Sequence, residues 1–422
     1  MNALPRRELF LFTGLAVVVA LVFASMGNAY GMRMLVEASC YAIIGLGLTI
    51  QWGYAGLFNV GIMGFIALAA FANIFVSYPV NTSFWESDAP GMLGHACLAI
   101  LVSAALIYGA SQAHRLGLPK KLRTLLTLIV LAVCYLWVQS IFDPATTAIE
   151  RNGGWVGGLG LPVWLGWLAG GIVAGLLGWG MGRITLGLRA DYMAIATLGI
   201  SEIVKAFLKN ADWLTRGTLT VSPLPWPVPT PQDLGFVASR ASYLAVTSIL
   251  ILVIFVLLQR GWHSPWGRMM RAIRDNEISA AAMGKDINRR RLEMFVLGNV
   301  IIGIGGAALI TFTSIFDPSS FTPLNHTFLI WVMVILGGAG NNLGTVFGVV
   351  LVYVIWIMSE PAALFLFQQV AVWGDRLFDW QAPTDLPTRA LQMRVFVIGL
   401  TITLVLRFAP NGLLPEKPVR HD

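Results

Sequence analysis

The sequence predicts an all-α, polytopic helical membrane protein of about 10–12 spans, N-in and C-in, with some spans re-entrant or discontinuous. Three observations predict it. Of the 422 residues, 57% are apolar and only 12% are charged, about half the charge of a soluble domain, and the mean hydropathy is +0.74. The apolar excess falls into runs of about 17–23 residues, long enough to cross a hydrocarbon core of about 30 Å as helices. The charges between those runs alternate in sign along the chain. No run alternates as a barrel strand does, and backbone in lipid must satisfy its own hydrogen bonds, so the runs are helices.

Spans are expected near 8–26, 34–50, 57–77, 92–110, 123–142, 161–180, 190–208, 241–259, 292–314, 327–340, 344–359 and 393–408. The first follows Arg6 and Arg7 and reads as an uncleaved span, because its run is long for a signal peptide and no A-x-A site follows. Counted from cytoplasmic arginines, the inside segments hold 114–123 (HRLGLPKKLR), Arg183, Arg189, the 260–291 segment, and a tail with Arg407, Lys417 and Arg420. The outside segments hold Glu86, Asp88, Asp143, Glu150, Asp317 and the 375–385 region. This is the positive-inside pattern, and it accounts for the net charge of +7 without nucleic acid. The chain therefore reads as one transmembrane domain over 1–422, with an external Pro-rich loop at 209–240 and a cytoplasmic segment at 260–291. Two Gly-rich stretches, QWGYAGLFNVGIMG and LGGAGNNLG, predict re-entrant or half-length helices within 34–77 and 327–359. Gly166/Gly170, Gly171/Gly175 and Gly178/Gly182 each make GxxxG, which favours close helix contact in lipid. Cys40, Cys97 and Cys134 sit in apolar runs without CxxC spacing and read as small core residues.

Motifs for covalent chemistry are missing from the sequence. It has no GxxxxGK[ST], HExxH or GxSxG, and its five histidines are scattered, so no catalytic residue, metal site or cofactor is expected in this chain. A solute pathway is sought instead among polar groups inside spans, where charge is costly and usually faces a cavity or a partner. Glu202 and Lys205, at i and i+3, read either as lining a route for a zwitterionic solute or as a structural ion pair. Gln51, Asn59 and Gly61, among Gly53, Gly56 and Gly64, read either as a break exposing backbone to a solute or as a kinked packing helix. In the 260–291 segment, Ser264 can cap a helix with Pro265 at its first position, Gly284 can end it, and Asp286 can cap the next. The expectation is one short, rigid cytoplasmic helix with Arg271, Arg274 and Ile278 on one face and Asp275 and Glu277 as acceptors.

The run GRMMRAIRDNEISAAAMGKDINRRRLEMFVLGNVIIGIGGAAL at 267–309 resembles the cytoplasmic helix, loop and span of LivM-type permeases, the membrane subunits of branched-chain amino-acid ABC importers. GYAGLFNVGIMGF at 53–65, DYMAIATLGISEIVK at 191–205, VMVILGGAGNNLGTVFGVVL at 332–351 and APNGLL at 409–414 resemble the same family in the same order. The resemblance implies an inner-membrane permease subunit that moves amino acids, branched-chain ones, by alternating access. It implies a second homologous permease, two cytoplasmic ATPases that bind the ATP, a periplasmic substrate-binding protein and surrounding membrane lipid. It also implies that the 267–284 helix docks in a groove on an ATPase, with Arg271, Arg274, Asp275 and Glu277 as transmitting contacts and Gly284 as the turn. The sequence departs from the family's pattern at Asn59-Val60-Gly61-Ile62 and at Arg216-Gly217-Thr218-Leu219-Thr220, and the 123–142 span looks like an addition. The alternatives are ABC import of another small polar solute, such as urea or an amide, and an ion-coupled secondary transporter using Glu202.

Overall fold

A computed structural model describes residues 6–112, 119–378, 383 and 385–416. The expected charges at 114–118, 379–382, 384, Lys417 and Arg420 lie outside the described residues. The chain is 81% helical, with 17 helices and no strands among the described residues. In order they are α1 (Arg6–Met26), α2 (Asn28–Thr49), α3 (Ile62–Ser77), α4 (Thr82–Trp85), α5 (Ala89–Ser111), α6 (Lys120–Asn152), α7 (Val163–Thr185), α8 (Ala190–Asn210), α9 (Asp212–Thr215), α10 (Pro231–Leu234), α11 (Phe236–His263), α12 (Pro265–Asp275), α13 (Glu277–Ala282), α14 (Ile287–Thr313), α15 (Leu329–Gly337), α16 (Asn342–Phe378) and α17 (Leu386–Phe408).

A helix stands at each of the expected spans. Among the described residues, nine are long and apolar enough to cross a membrane. The remaining three are α3, α8 and the helical stretch Leu324–Gly337, and each differs for a physical reason. The stretches Ile62–Ser77 and Leu324–Gly337 are apolar but short, since each abuts a Gly-rich break. Helix α8 has the length but carries Asp191, Glu202, Lys205 and Lys209.

The core is built on α2 and α14, whose apolar stretches are 94% and 78% buried, against 6% for α1, α6 and α17. Lipid supplies no hydrophobic force between helices, so they must approach closely enough for dispersion to hold them. The glycines allow this. A Cβ at Gly47 would lie 2.6 Å from the Gly298 carbonyl oxygen, and one at Gly303 would lie 2.7 Å from the Gly170 oxygen. Helix α7 uses its small residues on two faces: Gly166 and Gly170 meet Asn73 and Ala69 of α3, while Gly171, Gly175 and Gly178 meet Ile304, Val300 and Asn299 of α14. The α5–α6 hairpin stands outside this core and shows Leu101, Tyr135 and Leu136 on its surface. Cys40 and Cys134 are buried as expected, but Cys97 is exposed, on the outer face of that hairpin. The 209–240 loop is pinned to the end of α14, with Val221 and Phe316 exchanging backbone bonds and Trp226 Nε1 donating to Ser314 Oγ at 2.6 Å.

Both described ends of the chain meet at one end of the bundle. An Arg7 Nη2 donates to the Leu413 carbonyl at 3.2 Å, and the Leu413 and Leu414 amides donate to Leu336 and Gly337. Ends that meet this way fit the even number of crossings that an N-in and C-in chain needs.

Gly303→Val would push a branched side chain into Gly170 and Gly171. We expect a loss of about 1–3 kcal/mol or more from overpacking, read as a lower melting temperature of the detergent-purified protein. Gly199→Ala, where a Cβ meets nothing within 4 Å, should leave it unchanged.

Candidate functional site

Helix α2 does not end cleanly. It widens into a π-helical turn at Ile50–Tyr54 and leaves helical geometry until α3 begins at Ile62. The peptide groups freed at this break need partners, since lipid offers none. Neighbouring helices supply them. The Val60 amide donates to Thr197 Oγ1 at 3.1 Å, the Met63 amide to Thr327 Oγ1 at 3.2 Å, and the Gly61 amide to Asn59 Oδ1 at 2.9 Å. The Gly61 carbonyl accepts from Ser201 Oγ at 2.6 Å, and the Asn59 carbonyl from Trp331 Nε1 at 3.0 Å. The Asn59 side chain donates to Gln51 Oε1 at 2.9 Å and to Asn299 Oδ1 at 3.3 Å, while Gln51 Nε2 donates to the Phe295 carbonyl. Gln51, Asn59, Thr197, Asn299 and Thr327 are fully buried.

Of the expected pathway residues, Gln51, Asn59 and Gly61 are therefore brought together in a closed polar plug. Glu202 and Lys205 stand apart from it on α8, with Nζ and Oε2 3.8 Å apart and Glu202 about half exposed.

The second break is the turn at 338–341, where Gly338 and Gly340 take φ of +115° and +87°, a region open to glycine at little cost. The two breaks touch: a Cβ on Gly53 would lie 2.4 Å from the Gly340 nitrogen. Arg274 of α12 enters at this junction. Its Nη1 donates to the Gly53 carbonyl and to Glu416 Oε2 at 2.9 Å, and its Nε donates to Asp275 at 3.1 Å. Burial disfavours the guanidinium charge, but Glu416 and Asp275 outweigh that and hold it above its ordinary pKa, so it stays charged. Below it lies Trp262, with the Arg271 guanidinium 4.6 Å from its ring centre. Trp262 in turn packs on Tyr54 at 4.0 Å, and the Tyr54 hydroxyl donates to Asn342 Oδ1 at 2.8 Å.

The segment carrying Arg274 is two helices, not the single one expected. Asn276 adopts extended backbone, φ −153° and ψ 97°, and its side chain accepts from the Ser279 amide to cap α13. A good capping residue here competes with helix continuation. The other signals act as expected: Ser264 caps α12, Gly284 reverses the chain at φ +75°, and Asp286 caps α14 through the Arg289 amide. Arg274 points inward, Arg271 lies half-buried on Trp262, and Asp275 and Glu277 are exposed. Glu277 also pairs with Arg291 at 2.9 Å, tying α13 to α14. Between these charges Ile278 and Met283 are 83% and 77% exposed.

Sequence reasoning missed Thr197, Ser201, Asn299, Thr327, Trp331, Trp262 and Glu416. Some signal was present, since Thr197 and Ser201 lie at i and i+4 on one helix face and Asn299 interrupts a long apolar run. Among the described residues, no group of three or more His, Cys, Asp or Glu is gathered to hold a metal ion.

A family described as "Branched-chain amino acid transport system / permease component" matches the chain over residues 30–155 and 132–406. The probable branched-chain amino acid transport permease protein LivM of Methanocaldococcus jannaschii is 26% identical over 195 residues, covering 46% of this chain and 52% of that protein. The high-affinity branched-chain amino acid transport system permease protein LivM of Salmonella typhimurium is 28% identical over 435 residues, covering 97% of this chain and 75% of its own length. The Escherichia coli protein of that name is 27% identical over 234 residues, covering 51% and 48%. The chain thus spans 52% of the archaeal relative and 48% of the Escherichia coli one. No solved structure gives a significant match.

Asn59→Leu would remove the bonds to Gln51, Asn299 and the Gly61 amide and leave these groups buried without partners. A loss of about 2–3 kcal/mol or more is expected, measured as reduced thermal stability of the purified permease. Unchanged stability would mean that the plug is not sealed by Asn59.

Proposed function

The chain belongs to the family of branched-chain amino acid transport permease components, and from that premise we propose that it is the membrane subunit of an ATP-binding-cassette importer for branched-chain amino acids in the inner membrane. The observation that carries this reading is the Arg274 junction. An extramembrane helix pair, apolar and charged on its outer side, is bonded on its inner side to the first helix break at Gly53 and to Glu416, in the tail that is bonded to the second break at Asn341. That is the layout required of a subunit moved by a force from another chain.

The α12–α13 pair meets the ATPase through Ile278, Met283, Asp275 and Glu277, with Gly284 giving the reversal that presents them. Arg274 passes the displacement to Gly53 and, through Glu416, to the 338–341 turn. Movement there strains the bonds around Gln51, Asn59 and Gly61, the plug that must open for a solute to pass, while Glu202 and Lys205 border the route on α8. The partners are a second related permease, two cytoplasmic ATPases that bind ATP, and a periplasmic binding protein that delivers the substrate. This chain performs no covalent chemistry, so the permease work is binding and conformational change.

Two variants separate the roles in the reconstituted complex. Ile278→Glu should abolish co-purification of the ATPases, because it places a charge in the apolar contact. Arg274→Ala should keep the complex assembled and hydrolysing ATP while leucine uptake per ATP falls about tenfold, within the range of ordinary coupling energies. Uptake that persists without the ATPases and follows a proton or sodium gradient would sink the reading.

A further inference from the structure

A cavity of about 350 Å³ opens between the loop that carries Asp317 and helices α2, α14 and α16. Its size lies at the low end of the roughly 300–1,000 Å³ typical of small-molecule sites. Asp317 and Thr313 line it from the loop side, and Glu37, Tyr41, Tyr353 and His326 from the buried helices. The hydrogen bonds among these residues give the cavity a definite sign. Glu37 is spent: Arg33 Nε donates to one oxygen at 2.9 Å, and the Tyr353 hydroxyl donates to the other. With its proton committed to Glu37, the Tyr353 oxygen has only lone pairs left to offer. The Asp317 carboxylate takes the Ser319 amide on Oδ1 at 2.7 Å, and among the described residues no cation pairs with it. His326 Nδ1 is buried with no hydrogen-bond partner, an arrangement that costs free energy unless something fills it. The cavity thus offers one carboxylate that makes no ion pair among the described residues, and two acceptors; Lys205, the cation near His326, is itself paired with Glu202.

We propose that this cavity binds the ammonium group of a small aliphatic α-amino acid, held by Asp317, the Tyr353 oxygen and His326 Nδ1. In the tautomer with the proton on Nε2, which the proposal requires, His326 presents Nδ1 as the acceptor. The Glu37–Arg33 pair fixes Tyr353 and cancels its own charge, leaving Asp317 to set the preference for a cation. The inference rests on the permease reading and places a substrate head-group site within this chain.

The test uses the complete transporter in nanodiscs, with radiolabelled leucine as the probe and two competitors. Isoamylamine carries the ammonium without the carboxylate, and 4-methylpentanoate carries the carboxylate without the ammonium. Isoamylamine should displace leucine, and 4-methylpentanoate should not. Asp317→Asn keeps the Ser319 cap bond and removes only charge. It should weaken leucine and isoamylamine binding about tenfold or more, as expected for loss of a charge-assisted bond. Thr313→Trp, at an exposed position on the lining, should block binding while Asp317, Tyr353 and His326 stay in place. Wild-type binding in both variants, or competition by the acid and not the amine, would overturn the site. ATP-driven leucine uptake in the same preparation separates the two claims. Uptake with unaltered binding in the variants removes the site and leaves the permease. No uptake, but isoamylamine binding lost in Asp317→Asn, removes the permease reading and supports the site.

Discussion

The guanidinium of Arg274 is the point on which the rest of the structure turns. It is half-buried between an extramembrane helix and the tips of two broken helices, bonded to the Gly53 carbonyl, to Glu416 and to Asp275. A planar fork that stays charged can hold a backbone carbonyl and a carboxylate at once, with a direction set for each bond, which a lysine's point charge would not do. Hydrogen bonds to charged groups contribute about 1.5–3 kcal/mol each, so α12 does not tilt independently of the core. Trp262 and Tyr54 extend the contact to Asn342 at the start of α16. Four separate parts of the chain therefore move together or lose these bonds.

The breaks themselves follow from a constraint particular to lipid. Once α2 leaves helical geometry after Tyr54, several peptide groups lie in the core without helical partners. Thr197 and Ser201 of α8, and Thr327 and Trp331 of the 324–337 stretch, satisfy them. The plug is held by bonds made within the protein, and it can open because those bonds join several elements, α8, α14 and the 324–337 stretch, that can move apart. Glycine makes the geometry possible: Gly298 and Gly47 bring α14 close enough for Gln51 to reach Phe295.

Much of this was legible in the sequence, and the parts that were not share a cause. Spans, caps and the two breaks are local or periodic signals, and the structure places helices and interruptions where those signals lie. The five stretches that resemble one family looked separate along the chain. In space, 53–65, 267–274, 338–341 and 413–416 form a single junction, with Thr197 and Ser201 of the α8 stretch sealing the break beside it. Only the fold could reveal that Glu416 meets Arg274, because 142 positions separate them. Asn276 was misread because its capping strength competes with a favourable helical run, and the local pattern does not show which prevails. The Glu202–Lys205 pair was legible as a pair, but its distance from the plug depends on how α8 packs.

A double-mutant cycle of Arg274→Ala and Glu416→Ala, read as leucine uptake per ATP hydrolysed in the reconstituted complex, tests the central claim most directly. If the two side chains form one joint, the double variant should lose no more coupling than the worse single variant, because the second change removes a bond already gone. Losses that simply multiply would show that Arg274 and Glu416 act separately, and that the helix pair moves the membrane core by another route.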